Sequence, residues 1–366
     1  MIQRPPVISI HKVSVYGTIE LIAANFPYSS LLWTRRMSTV GDFKCALLGP
    51  FPAPWPGRYI VTASGRPEVG IVEKIEVDED GGTASATISG RFLESLWDRW
   101  RVTPSSLPAT GGSWRQAVTA ACRSWHCSDA PLIKPGAGTD VGRGESYKIT
   151  DDYGKSGMEL IYHETAARGA RPMLSYDRAK SGDVELRIVD GVDRTRTQDS
   201  VPPCIFSLAL ASVSSISFAE DVSAAASVVM AYCEAQDGAV VEQPAYVPGF
   251  DPASGWESVA VEDVGSLLSL PDGVEPTPEQ VAQAGGLRAY DHMPVVSIDF
   301  DCTRVGYMDE WDLCDLVEVE VPSLGLVAVQ RIEEVRESYD SDGPKLEVTA
   351  GTKQMSRVAR AMLGRR

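Results

Sequence analysis

The sequence predicts an α+β fold that is mainly β, built as two related β-barrel domains with an inserted α/β module. Three observations carry this reading. The first hundred residues fall into short runs of alternating β-branched and polar residues separated by turn signals. Residues 102–200 instead place two amphipathic helical patterns among short strand patterns. The pattern VEKIEV (Val72–Val77), an Asp-Gly turn and TISG (Thr87–Gly90) also returns near the far end as VQRIEEV (Val329–Val335), an Asp-Gly turn and VTAG (Val348–Gly351). Two related hairpins, one near each end, suggest two related barrels. The expected domains are residues 1–101, a β-barrel; 102–200, the α+β insert; 201–352, a second β-barrel with a loop-rich insertion at about 237–290; and 353–366, a basic C-terminal segment.

Taken in order, Ile8–Ile22 reads as one strand run. Phe43–Leu48 and Arg58–Thr62 read as short strands, divided by the loop FPAPWPG, whose prolines forbid regular structure. Gly70–Val77, the turn DEDGG and Thr83–Gly90 form a hairpin. Arg91–Arg101 spaces Phe92, Leu96 and Trp100 four apart, which predicts a helix. Ser113 caps a second helix, with Trp114, Val118, Ala121 and Trp125 on one stripe. Tyr147–Thr150 is expected as a strand and Ser156–Arg168 as a helix ended by Gly169. Ala170–Tyr176 and Val184–Val189 follow as strands. Strands return at Cys204–Leu210 and around Ser217–Tyr232. Asp237–Pro276 reads as a long loop-rich stretch. TPEQ opens a short helix over Pro278–Ala284, with Gly285-Gly286 as its stop. Val295–Asp301, Leu316–Val321, Leu326–Arg336 and Lys345–Ala350 are the closing strands.

The chain of 366 residues has a formal net charge of −16. Such a surface repels phosphate, so a nucleic-acid clamp is not expected, although DNA sliding past without sticking is compatible with it. The seven cysteines, at 45, 122, 127, 204, 233, 302 and 314, are odd in number and irregular in spacing. With no leader-like apolar block at the start, they are expected to be reduced and mostly buried in a protein made in a cytosol. No apolar run approaches the ~18 residues of a membrane span.

Motifs that would carry chemistry fail on spacing. Gly154-Lys155-Ser156 resembles the end of a phosphate-binding loop, but the required earlier glycine position holds Ile149. His163-Glu164 opens like a zinc-protease helix, but the second histidine position holds Ala167. Glu76, Asp78, Asp80 and Gly81 mimic a calcium loop whose closing acid is replaced by Thr87, and Asp340, Asp342 and Gly343 fail likewise at Thr349. Cys122, His126 and Cys127 have no standard ligand spacing, and Cys302 and Cys314 stand twelve apart in strand-like sequence. The four histidines, at 11, 126, 163 and 292, form no recognisable dyad, and there is no G-x-S-x-G elbow. No catalytic, cofactor-binding or metal-ligating residue is expected. The C-terminal segment is different: Lys353, Arg357, Arg360, Arg365 and Arg366 stand in a stretch without acids. These cations suit a solvated helix end or a docking peptide for an acidic neighbour.

Four segments in this order carry a resemblance. They are LLWTRRMSTVGDFKCALL (Leu31–Leu48), GIVEKIEVDEDGGTASATISGRFLESLWDRW (Gly70–Trp100), SYKITDDYGKSGMELIYHETAARGARPMLSYD (Ser146–Asp177) and WDLCDLVEVEVPSLGLVAVQRIEEVRESYDSDGPKLEVTAG (Trp311–Gly351). Together they resemble the siphovirus tail-hub family, which is similar to the N-terminal part of tail-associated lysins and, in layout, to the central hub of contractile baseplates. The family's Gly-Asp before its VEVEV-type strand stands here as Cys314-Asp315. The resemblance implies two similar β-barrels, an inserted α/β region and a homotrimeric ring of six barrels that matches a six-fold tail tube. It implies a tail-tip structural protein rather than an enzyme, without cofactors. Its partners would be its own copies, the distal tail protein, the tail tube, and tape-measure or tip proteins, with DNA only in transit. Its place would be the tail tip of the virion, after synthesis in the host cytoplasm, and the form of the resemblance leans to a non-contractile tail. Lytic or host-binding activity would then lie in another protein. The alternatives are a tail-associated cell-wall hydrolase using acids with His163 or His126, and a carbohydrate-binding adhesin stacking sugars on Phe51 and Trp55. For that loop, packing on a barrel end is the simpler expectation.

Overall fold

The computed structural model describes residues 5–54, 57–80, 83–103, 113–124, 133–134, 156–166, 168–176, 184–234, 238–248, 257–265, 268, 275–303 and 306–351. The chain is mainly β, as expected, and divides into two compact units. The first is Met1–Ser217 with Asp299–Ala350, and the second is Phe218–Ile298 with Gly351–Arg366.

The first unit opens with strands β1 (Ile8–Val13) and β2 (Ile19–Phe26), an antiparallel pair where one run was expected. The break is local. Gly17 takes a left-handed φ of 77°, and the Ser14 hydroxyl accepts the amides of Tyr16 and Thr18 at 3.2 and 3.0 Å, closing a turn. β3 (Tyr28–Arg36) was not expected, and β4 (Asp42–Leu47), β5 (Tyr59–Ala63), β6 (Val69–Ile71), β7 (Lys74–Asp80) and β8 (Thr83–Arg91) follow. The sheet β2-β1-β5-β6 packs a core of Ile8, Ile10 and Val61 against Leu31, Trp33, Phe43 and Ile88. Trp33 lies 4.8 Å from Phe92 between ring centroids, within the range of a favourable aromatic pair.

The expected helix at Arg91–Arg101 is a 3-10 helix, Leu93–Arg99. Its tighter winding, about three residues per turn, buries Leu93 and Trp97 rather than Leu96 and Trp100. Helix α1 (Trp114–Ser124) starts at a capping box in which Ser113 and Gln116 exchange amide bonds at 3.0 and 3.4 Å. After β9 (Ile133–Lys134), helix α2 (Gly157–Ala166) starts the same way at Ser156 and Glu159. β10 (Ala170–Tyr176) and β11 (Val184–Asp190) form an antiparallel pair with β9 parallel to β11. Val118, Leu160, Ile161 and Leu174 join Leu93 and Trp97 in one core. The expected strand at Tyr147–Thr150 lies outside the described residues.

β12 shrinks to Ile205–Phe206, where Cys204–Leu210 was expected, because residues 208–211 turn. β13 (Val213–Asp221) and β14 (Val228–Glu234) replace the single expected stretch around Ser217–Tyr232. The stretch expected to be loop-rich holds β15 (Val240–Tyr246) and β16 (Val259–Asp263). In the second unit β14 pairs β15 antiparallel and β16 parallel. Helix α3 (Pro278–Ala289), capped by Thr277 and Gln280, covers one face of this sheet, with Val281 and Ala284 against Ala231 and Cys233. It runs through Gly285-Gly286 instead of stopping there. A Cβ on Gly285 would meet the Ala231 methyl at 2.6 Å, so the glycine permits close packing inside the helix.

β17 (Val295–Cys302), β18 (Leu316–Val321), β19 (Leu326–Asp340) and β20 (Gly343–Gly351) complete the chain. In the largest sheet the order runs β20-β19-β3-β4-β8-β7. The two hairpins that share a sequence pattern, β7–β8 and β19–β20, therefore lie in one sheet on either side of β3–β4. Among the described residues no strand order closes on itself.

Candidate assembly interface

The interior of the first unit is held by charge. Arg35 on β3 donates from Nε to Glu68 at 2.7 Å, and from Nη1 to Tyr307 and Asp312 at 2.8 and 2.6 Å. Glu68 also accepts from Arg171 on β10. Arg66 forms a two-pronged pair with Glu337 on β19, whose carboxylate also accepts the Tyr339 hydroxyl at 2.6 Å. Asp315 takes the Val192 amide at 2.8 Å and the Arg194 guanidinium at 2.6 Å. Three stretches distant in sequence, about residues 35–94, 171–196 and 307–339, are thus tied together. Burial opposes ionisation of Glu68, but the Arg35 and Arg171 guanidiniums beside it hold its carboxyl down at about 2. Glu94 has no such cation bonded to it. Burial pushes it up to about 7, against the pull of the Leu174 amide, which it accepts at 2.6 Å. It is 1% exposed, so no substrate reaches it. This arrangement fixes the fold.

The surface offers an edge. The first half of β19, Leu326–Arg331, pairs with β18 on one side, and among the described residues no strand pairs its other side. Val327 and Val329 face outward there, 47% and 48% exposed, with Leu324 exposed at the preceding turn. The far edge of the same large sheet, β7, reads KIEVDED and is blunted by charge, as protected edges are. An open edge carrying valines suits pairing with another chain; a charged one discourages it.

The residues singled out by sequence scatter. The basic segment with Lys353, Arg357, Arg360, Arg365 and Arg366 lies outside the described residues, as do His126, Cys127, Trp55, Gly154 and Lys155. Ser156 is the α2 cap. His163 is exposed on α2, His11 is buried with its Nε2 3.1 Å from the Thr62 hydroxyl, and His292 bonds Glu262 at 2.9 Å. Phe51 packs edge-on against Tyr59, ring centroids 5.1 Å apart. Glu76 and Asp78 lie on β7, where Lys74 pairs Glu76 at 2.7 Å. The described cysteines are free thiols, buried except Cys302. Among the described residues no group of three or more His, Cys, Asp or Glu is arranged to hold a metal ion, and no helix is long and apolar enough to cross a membrane. The clamp residues Arg35, Glu68 and Arg171 were missed by sequence reasoning. The only available signal was a run of charge, Arg35-Arg36, inside an otherwise apolar stretch.

This fold is shared with phage tail proteins. The chain matches a tail protein of Neisseria meningitidis MC58 with a TM-score of 0.62 at 14% identity, over 96% of this chain and 97% of the other. It matches the 43 kDa tail protein of prophage MuSo2 from Shewanella oneidensis with a TM-score of 0.57 at 18% identity, over 94% and 98%. It matches prophage tail protein gp18 from Listeria monocytogenes EGD-e with a TM-score of 0.52 at 12% identity, over 98% of both. In sequence, the model of the family described as Siphovirus ReqiPepy6 Gp37-like protein matches residues 295–352, which run from β17 to just past the end of β20. No curated protein matches the chain in sequence.

Proposed function

We propose that the chain is a structural subunit of a phage or prophage tail tip, a hub protein. Three copies close a ring below the tail tube, adapt its six-fold symmetry to a three-fold tip and leave a channel through which DNA passes. In this reading each chain supplies two related barrel-like halves, residues 1–101 and 201–352, around the insert 102–200. Its partners are its own copies, the distal tail protein, the tube and the tape-measure or tip proteins, and it carries out no catalysis. The observation that carries the reading is the end-to-end likeness of fold to a tail protein, 96% of this chain on 97% of that one. Two features support it further. The paired hairpins β7–β8 and β19–β20 flank β3–β4 in one sheet, as a duplicated tube element would. The open valine edge of β19 provides a surface by which copies can join, and ring closure removes free edges.

The test is solution mass by light scattering over a concentration series, with negative-stain images of the main peak. A species of three times 39.5 kDa with a central opening is the expected result. A chain that stays monomeric at the highest concentration, both alone and mixed with tail-tube protein, would overturn the ring.

A further inference from the structure

Among the described residues, the second unit presents a sheet with one face unpartnered. Along β14, alternate residues point to α3 (Val229, Ala231, Cys233) and away from it (Val228, Met230, Tyr232). The register places Tyr246 and Val259 beside Val228, and Pro244 and Val261 beside Met230. A sheet with one solvated face normally alternates apolar-in and polar-out. Here two outward rows, those of Val228 and Met230, are apolar on all three strands. Tyr246 is 62%, Val259 60% and Val261 68% exposed. A contiguous apolar patch of this kind marks a surface that is covered in function.

Charge says what covers it. The outer face ends in a row in which Tyr232 stands between Glu242 and Asp263, with Glu234 one step beyond. Residues 218–298 hold thirteen Asp and Glu against a single cation, Arg288, which lies on the helix over the opposite face. A second copy of the same face would bring acid against acid. Nucleic acid and an anionic membrane are repelled for the same reason. The occupant has to be apolar and cationic together. Such a segment exists in the chain itself: residues 352–366 carry five cations and no acid, interleaved with Met355, Val358, Met362 and Leu363. Fifteen residues span up to about 50 Å when extended, against roughly 10–15 Å across three strands.

We propose that the outer face of the β15-β14-β16 sheet is the seat of the chain's own basic segment, residues 352–366. To such a segment the face offers the apolar side chains of Tyr246, Val259 and Val261 and the carboxylates of Glu234, Glu242 and Asp263. The proposal does not depend on ring formation.

The test uses the full chain with the photo-crosslinker p-benzoylphenylalanine placed at Val261 or, in a second variant, at Tyr246; both sites are exposed and tolerate the change. A third variant carries it at Val77, on β7. Irradiation followed by peptide mass spectrometry should find residues 352–366 joined to positions 261 and 246 and not to 77. Arg357→Ser with Arg360→Ser should lower the yield about tenfold, as should raising the salt to 1 M. Met355→Ser with Val358→Ser should also lower it. Crosslinks from 261 and 246 to any other segment or to the same face of a second copy, equal tail capture from position 77, or a yield indifferent to the arginine substitutions would each overturn the proposal.

Discussion

Glu94 is a carboxyl placed where a carboxylate is unfavourable. Burial lifts it from an ordinary 4.5 to about 7. Between those values the folded chain holds a proton that the unfolded chain has released, so the stabilising contribution is complete below pH 4.5 and is lost as pH rises to 7. The loss is on the order of 3 kcal/mol. Glu94→Gln keeps the acceptor for the Leu174 amide and removes the titration. Urea midpoints of the wild type should fall between pH 5 and pH 8, and those of the variant should fall much less; equal slopes would refute this account. Glu333, pushed up to about 6 by burial, leaves a shallower decline of the same sign in both. Cys314 is the second residue with a cost attached. It adopts a left-handed φ of 77° with its side chain fully buried. An L side chain there costs about 1 kcal/mol. Cys314→Ala keeps that strain and Cys314→Gly relieves it, while both lose the sulfur. The glycine variant should therefore be the more stable of the two by about 1 kcal/mol in urea unfolding. The reverse order would mean that packing outweighs backbone strain there.

At the scale of elements, local chemistry was a good guide wherever a local rule acts. The strands Ala170–Tyr176 and Leu316–Val321 have the bounds expected from sequence. The three α-helices among the described residues start at side-chain caps visible in sequence: Ser113, Ser156 and Thr277. β3 escaped because a central strand carrying Trp33, Thr34, Arg35 and Arg36 does not alternate; its arginines are neutralised by partners far away in the chain. The 3-10 helix escaped because Phe92, Leu96 and Trp100 satisfy a helical spacing, although Leu96 and Trp100 stay only partly buried while Leu93 and Trp97 bury fully. The open edge of β19 has a direct consequence for assembly. Val327→Lys with Val329→Lys should leave the circular dichroism and unfolding midpoint nearly unchanged, since both side chains are about half exposed. In the proposed ring it should also reduce trimer formation about tenfold or more, because a charged edge resists strand addition. A trimer population equal to wild type would remove this edge from the ring interface.

At the scale of the whole molecule, the net charge of −16 is unevenly shared. Residues 218–298 hold thirteen acids to one arginine, while residues 352–366 hold five cations and no acid. The buried core of the first unit instead balances its charges one against another, which fixes which segments meet at the cost of desolvating each ion. The related hairpins β7–β8 and β19–β20, which read in sequence as marks of two separate barrels, share one sheet around β3–β4. The solution mass proposed above therefore asks whether rings close through that sheet's open edge.

By itself the sequence determined the mainly β character, the helical insert, the helix starts and the charge asymmetry. Each of these depends on residues near one another in the chain, through periodicity, capping or composition. Only the tertiary structure decided that β3 lies at the centre of a sheet and that Arg35, Glu68 and Arg171 meet. It alone decided that Glu94 is sealed from water, that Cys314 bears a left-handed backbone, and which sheet face and strand edge remain uncovered. Each of these depends on partners brought together from well-separated positions, from 33 residues apart for Arg35 and Glu68 to 103 for Glu68 and Arg171, or on what fails to arrive, and no local pattern encodes either.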